Sequence, residues 1–180
     1  LDMQYMLGEK LLVAPVFNER SEARYYLPEL KPTGTRWTDL MTGEVKAGGR
    51  WYKENIDYFK LPLYVRPNTL LAVQKGQSKP DYHYADGVEI KAYALDAEAF
   101  GQAQVEIYDE AHQSCIEVRA IRLGNTITLS YENEGYPFLF TLVGEEMILS
   151  HEGHGVTKVA DHQVMIAGGK GVVVLKVATR

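Results

Sequence analysis

A period of two runs through this chain and constrains its fold more than any other feature. Residues 88–95 read Val-Glu-Ile-Lys-Ala-Tyr-Ala-Leu, and residues 105–108, 116–120 and 127–131 alternate in the same way. Successive side chains of a strand point to opposite faces, so each segment predicts a half-buried antiparallel strand. Residues 11–17, 138–143 and 172–177 are near-continuous apolar runs, which predict strands enclosed between two sheets. Turn residues separate these segments at short spacing, as in Thr42-Gly-Glu44, Asp86-Gly87, Leu123-Gly-Asn125 and Asn133-Glu-Gly135. Gly168-Gly-Lys-Gly171 reads as a hairpin turn. The helical signal is poor. Residues 96–100 suit a single turn, and residues 1–7 read as the last turns of a helix closed by Gly8. Many short strands with frequent turns predict an all-β sandwich or barrel.

The polar segment Gln74-Lys-Gly-Gln-Ser-Lys-Pro80 separates two strand-rich regions and marks a boundary. Both Trp residues and most Pro lie before it, while regular alternation dominates after it. A unit of about 70 residues is marginal alone, so the first region is expected to lean on a neighbour.

Several function classes are disfavoured. The net charge is −5 with the charges interspersed, which argues against nucleic acid or an anionic membrane as partner. No segment approaches the ~20 apolar residues that span a bilayer. The single cysteine, Cys115, sits at the start of an alternating strand and reads as core; a reducing, cytoplasmic setting is the simpler expectation. The first residue is Leu1, as expected of a fragment or a processed chain. Gly168-Gly-Lys-Gly171 departs from a phosphate-binding loop, which needs Ser or Thr after the Lys and a helix beyond. No Gly-x-Ser-x-Gly elbow occurs. No cofactor is expected. Glycoside hydrolysis requires two carboxylates facing across a sugar, and none of the 24 acidic residues has a context that singles it out.

Aromatic residues crowd the first region: Tyr25, Tyr26, Trp37, Trp51, Tyr52, Tyr58, Phe59 and Tyr64. Aromatic faces stack on the apolar faces of sugars, so Trp51, Tyr52 and Tyr58 are candidate sugar contacts. The competing reading, favoured here, is a small sandwich whose core and interface are built from large side chains.

An ordered set of short motifs resembles one family. Asp2-Met-Gln-Tyr-Met-Leu-Gly8 and Leu11-Leu-Val-Ala-Pro-Val-Phe17 come first, then Tyr25-Tyr-Leu-Pro28 and Gly34-Thr-Arg-Trp-Thr38. Thr42-Gly-Glu44, Gly49-Arg-Trp-Tyr52, Leu61-Pro-Leu-Tyr-Val-Arg66, Asn68-Thr-Leu-Leu-Ala72 and Pro80-Asp-Tyr82 follow. The set is similar to the C-terminal region of glycoside hydrolase family 31, most of all its bacterial α-xylosidases. The resemblance implies a catalytic (β/α)8 barrel upstream, whose two catalytic aspartates have no counterpart motif here. It implies two small antiparallel β-sandwich domains in tandem: residues 1–8 as the tail of the barrel, 9–78 as a proximal sandwich and 79–180 as a distal one. The stretch 61–72 would run back through the proximal sandwich, turning at Pro67-Asn68. Residues 29–33 depart from the family pattern as an enlarged loop.

Three readings compete. The first is a non-catalytic accessory region bracing the barrel of the same polypeptide; isolated, it would bare an apolar patch and be prone to form a homo-oligomer. The second is a carbohydrate-binding module, and the third a free-standing enzyme. His151-Glu-Gly-His154 with His162 suggests a metal cluster, but Gly153 and Gly155 favour a turn between strands. Added zinc should therefore leave the melting temperature unchanged; a rise would place a metal at these histidines.

Overall fold

The computed structural model describes residues 3–30, 36–57, 59–74, 83–98 and 101–179. Among them it contains strands and turns but no helix, so none is long and apolar enough to cross a membrane. In chain order the strands are β1 (Tyr5–Leu7), β2 (Leu11–Val13), β3 (Glu22–Leu27), β4 (Arg36–Asp39), β5 (Val45–Ala47), β6 (Arg50–Asn55), β7 (Leu63–Val65) and β8 (Thr69–Gln74). They continue as β9 (Val88–Tyr93), β10 (Gly101–Tyr108), β11 (Ser114–Leu123), β12 (Thr126–Asn133), β13 (Phe138–Val143), β14 (Glu146–Glu152), β15 (Val156–Ala160), β16 (Gln163–Ile166) and β17 (Lys170–Thr179).

The first unit sets a five-stranded sheet, in the order β1-β2-β7-β4-β5, against a two-stranded ribbon of β3 and β6. Its core draws Leu12, Trp37 and Tyr64 from the sheet and Ala23, Tyr25 and Leu27 from the ribbon. The second unit is a fuller sandwich of two five-stranded sheets, β10-β11-β12-β17-β14 over β15-β16-β13-β9-β8. Ile90, Ile116, Leu129, Phe138, Phe140, Val164 and Leu175 are among its fully enclosed residues. The all-β expectation holds, and β10 shows why it was legible: its side chains alternate strictly between buried and exposed.

Elsewhere the structure corrects the pattern. Residues 5–7 do not end a helix; they pair with β2 across a turn in which Gly8 has φ +62°. β8 does not run back through the first unit. Asn68 turns the chain at φ +54°, and β8 then pairs with β9 in the second sandwich. The sandwich is not wholly antiparallel, because β13 lies parallel to β9. Three strands of the opposite sheet intervene between them, long enough to make the crossover that parallel pairing needs. β9 is consequently central, and both its faces are largely buried rather than one. Strand β2 stops at Val13, and Phe17 is exposed. Val172 is exposed between its ladder neighbours, so the run 172–177 alternates in practice. Ala97 and Glu98 form a turn, and residues 99–100 of the expected helical turn lie outside the described residues, as do 31–33 of the enlarged loop.

The segment 168–171 is a turn but not a hairpin, since β16 and β17 belong to different sheets. It carries the chain across the sandwich where Asn133 Oδ1 accepts hydrogen bonds from the amides of Gly135 (3.0 Å) and Gly169 (2.7 Å). A Cβ at Gly168 would sit 2.4 Å from backbone atoms of Gly135, so no larger residue fits. Gly168→Ala should destabilise the fold by about 1–3 kcal/mol, the range for forcing atoms into packed space. Chemical denaturation checks this.

Candidate functional site

Polar side chains are expensive to enclose without partners, so a buried lysine marks where to look. β5 is only three residues long, and it places Lys46 inward between exposed Val45 and Ala47. β6 directs Tyr52 and Glu54 to the same side by its two-residue period, while Tyr25 of β3 and Tyr64 of β7 come from the two facing layers. The four polar tips converge. Lys46 Nζ donates to Tyr25 Oη at 3.0 Å and to Glu54 Oε1. Tyr25 Oη donates to Glu54 Oε2 at 2.8 Å and lies 2.7 Å from Tyr64 Oη. A hydroxyl has one proton, and Tyr25 spends it on Glu54, so Tyr64 donates to Tyr25. The rings of Tyr25, Tyr52 and Tyr64 surround the ammonium, their centroids 5.3–5.8 Å from it.

The electrostatics follow from this closure. Burial opposes the charge on Lys46, but the hydrogen bonds it donates to Glu54 and Tyr64 outweigh it and hold the ammonium above its ordinary range. Burial likewise opposes the Glu54 carboxylate, and hydrogen bonds from Lys46 and Tyr25 overcome it and hold the carboxyl below its ordinary range. Burial raises both tyrosine hydroxyls, with Tyr25 raised further by the bond it donates to Glu54. Lys46 is therefore fixed in its protonated form, unsuited to act as a base or nucleophile. Both Glu54 oxygens are engaged. The cluster forms one wall of a cleft of about 410 Å³ that also involves Asp39, Glu44, Lys60 and Leu61. Its arrangement ties strands together rather than presenting a reactive group.

The expected sugar contacts do not form a joint platform. Trp51 and Tyr52 are neighbours on β6 and so face opposite ways. Tyr52 stacks on Tyr25 at 5.6 Å and donates to the Ala47 carbonyl at 2.8 Å. Trp51 is 52% exposed on the outer face, beside Tyr26 and with the Arg24 guanidinium 5.0 Å from its ring. Tyr58 lies outside the described residues. His154 sits in the turn between β14 and β15, with His151 on β14 and His162 in the next turn. Among the described residues, no three His, Cys, Asp or Glu side chains are grouped to hold a metal. Cys115 is buried at a bulge opposite Ile107 and Tyr108, which lets it and Ile116 both face the core. Burial raises its thiol pKa.

The fold and its motifs have known relatives. Residues 1–71 match the family described as "Glycosyl hydrolase family 31 C-terminal domain", and residues 83–177 match "Alpha-xylosidase YicI, C-terminal domain". The chain belongs to glycosyl hydrolase family 31. This family 31 chain is 29% identical over 160 residues to alpha-xylosidase XylQ of Lactiplantibacillus pentosus, covering 87% of itself but 19% of that protein. It is 31% identical over 169 residues to an alpha-xylosidase of Emericella nidulans, covering 88% of itself and 20% of the relative. The family 31 chain thus spans about a fifth of these curated relatives. Among solved structures it resembles the cycloalternan-forming enzyme from Listeria monocytogenes, with TM-score 0.72 and 16% identity over 99% of this chain and 19% of that one. A Flavobacterium johnsoniae dextranase of family 31 matches with TM-score 0.71 and 14% identity over 98% and 27% of the two chains. These structural likenesses show the fold.

Lys46→Met leaves Glu54 without its cation and should destabilise by about 1–3 kcal/mol, less than a fully buried pair because the Glu54 side chain is 33% exposed. The pH dependence follows from the shifts. The depressed Glu54 pKa gives stability that is present above the ordinary 4.5 and lost as pH falls through the lower folded value. The raised Lys46 pKa gives stability that is present below the ordinary 10.5 and lost as pH rises through the higher folded value. Melting curves of Glu54→Gln should accordingly lose part of the parental dependence on acid.

Proposed function

We propose that the chain is the non-catalytic C-terminal accessory region of an α-glycosidase of the α-xylosidase or α-glucosidase type, and that it braces a catalytic barrel preceding it in the same polypeptide. The observation that carries this reading is the distribution of uncovered apolar side chains. Ten of the sixteen exposed large hydrophobic residues described fall between Met3 and Leu61, in the smaller unit. All three residues of β1 are exposed, and Met41, Phe59 and Leu61 border the cleft beside Glu54. The Gln4 side chain exchanges two hydrogen bonds with the Tyr26 backbone, so the first described residues are fastened to the ribbon instead of trailing free. Patches of this kind mark interaction surfaces, and a barrel supplied by the missing four-fifths of the relatives' length is the proposed occupant.

Within this reading, residues 1–8 are the tail of the barrel and two sandwiches follow. The pairing of β8 with β9 supports placing the changeover at Pro67-Asn68, ahead of the expected 78. A cytoplasmic setting goes with the proposal, supported by the buried free thiol of Cys115. The alternative of a carbohydrate-binding module rests on Trp51 alone, as the exposed aromatic of the described candidates. Alanine at Trp51 should leave the response to a xylo-oligosaccharide titration unchanged.

The isolated chain should bind a hydrophobic dye and self-associate, and Tyr5→Ser with Leu7→Ser should reduce both. Light scattering and dye fluorescence test this. A monomeric, dye-silent parent chain would contradict the proposal.

A further inference from the structure

A sandwich has two open sides, and at each the main-chain groups of edge strands need cover. In the second unit β8 and β10 are the edges of the two sheets on one side, and β15 and β14 are the edges on the other. The β14–β15 side is closed from within. Lys158 on β15 donates from Nζ to the Ile148 carbonyl of β14 at 2.7 Å, and the Ile148 amide donates to the Asp161 carbonyl at 2.6 Å. The β8–β10 side is closed by a residue from the other unit. Lys10, between β1 and β2, reaches across and donates from Nζ to the Leu70 carbonyl of β8 at 3.0 Å and the Gln104 carbonyl of β10 at 3.3 Å.

The reach is well anchored. The Lys10 carbonyl accepts the Arg66 amide at 2.9 Å, which extends the pairing of β2 with β7 and fixes the backbone from which the side chain departs. On the far side, Asn68 Oδ1 accepts the Asp96 amide at 2.7 Å, and Gly101, where β10 begins, packs so tightly there that a Cβ would meet Asp96 backbone at 2.5 Å. The ammonium stands over a cleft of about 420 Å³ between the units, lined by Glu9, Arg66, Gln102 and Gln104. Burial pulls the Lys10 pKa below its ordinary range, and Glu9 partly offsets this.

We infer that Lys10 is a positioning residue: it clasps the open β8–β10 edge of the second sandwich and thereby fixes the orientation of the two units. The covalent link between the units runs through the single turn Arg66-Pro67-Asn68, and the Lys10 bridge to two strands of different sheets adds a second, non-covalent tie beside it. An ammonium suits the task because its three donors point in different directions and reach carbonyls on separate strands. Lys158 performs the matching closure inside the second unit without touching the first. The inference concerns the joint between units and does not depend on what covers β1.

The test uses the whole chain, spin-labelled at Glu44→Cys in the first unit and Glu117→Cys in the second, with Cys115 buried and unlabelled. Pulsed electron resonance then reads the distance distribution between the units. Lys10→Met should widen it, and amides of β8 and β10 should exchange about tenfold faster, as expected on losing charge-assisted hydrogen bonds. Lys158→Met should loosen β14 and β15 while leaving the inter-unit distribution as narrow as the parent's. Lys10→Arg, which keeps a cationic donor, should also keep it narrow. An unchanged distribution in Lys10→Met, equal widening in Lys158→Met, or a Lys10→Arg chain as broad as Lys10→Met would each overturn the inference.

Discussion

The hydroxyl of Tyr25 is where the two layers of the smaller unit are joined. A five-stranded sheet there is covered by a ribbon of only two strands, which leaves little apolar area between the layers. Tyr25 from the ribbon meets Tyr64 from the sheet, and Lys46 and Glu54 complete the network. Every polar group in it has a partner, so the low dielectric of the interior strengthens the bonds instead of penalising them. The same thin cover explains the surplus of bare hydrophobic side chains. A unit this small buries too small a share of its surface to be comfortable alone, and its remaining apolar faces need a neighbour. The second unit, with two full sheets over one core, has no such shortage.

The fold was partly legible because alternation reports local geometry. β10 and β12 could be read directly, since each has one face on the core and one in water. The pattern misled where topology decided burial. Glu89 and Lys91 mark β9 as a half-exposed strand, yet it pairs on both sides, parallel with β13 and antiparallel with edge strand β8, and Glu89 is enclosed with Thr141 and Gln163 for company. Val172 belongs to an apolar run and is exposed because it points to the outer face of β17, away from the core. Residues 5–7 carried a helical signal that a ready hydrogen-bonding partner in β2 overrode.

The candidate site was less legible. Trp51 and Tyr52 are adjacent in sequence, and adjacency on a strand is what separates them. Nothing in the sequence sets Lys46 and Glu54 apart from the other charged residues. Val45-Lys46-Ala47 alternates as if Lys46 faced outward, whereas β5 turns Lys46 inward and Val45 and Ala47 out, an inversion that alternation alone does not reveal. Its partners lie on β3, β6 and β7, and only tertiary structure brings them together. What the sequence did carry plainly was kinship, because short motifs in a fixed order survive where individual contacts vary.

A closed network that fixes Lys46 and occupies both oxygens of Glu54 suits a scaffold, and so does an uncovered apolar edge beside it. If the chain is an accessory region as proposed, the glycosidase chemistry lies outside it. The most direct measurement is release of aryl alcohol from aryl α-xyloside and aryl α-glucoside by the purified chain. The account predicts no turnover above buffer. Turnover that survives repurification to constant specific activity would contradict it and require a catalytic pair of carboxylates within these residues.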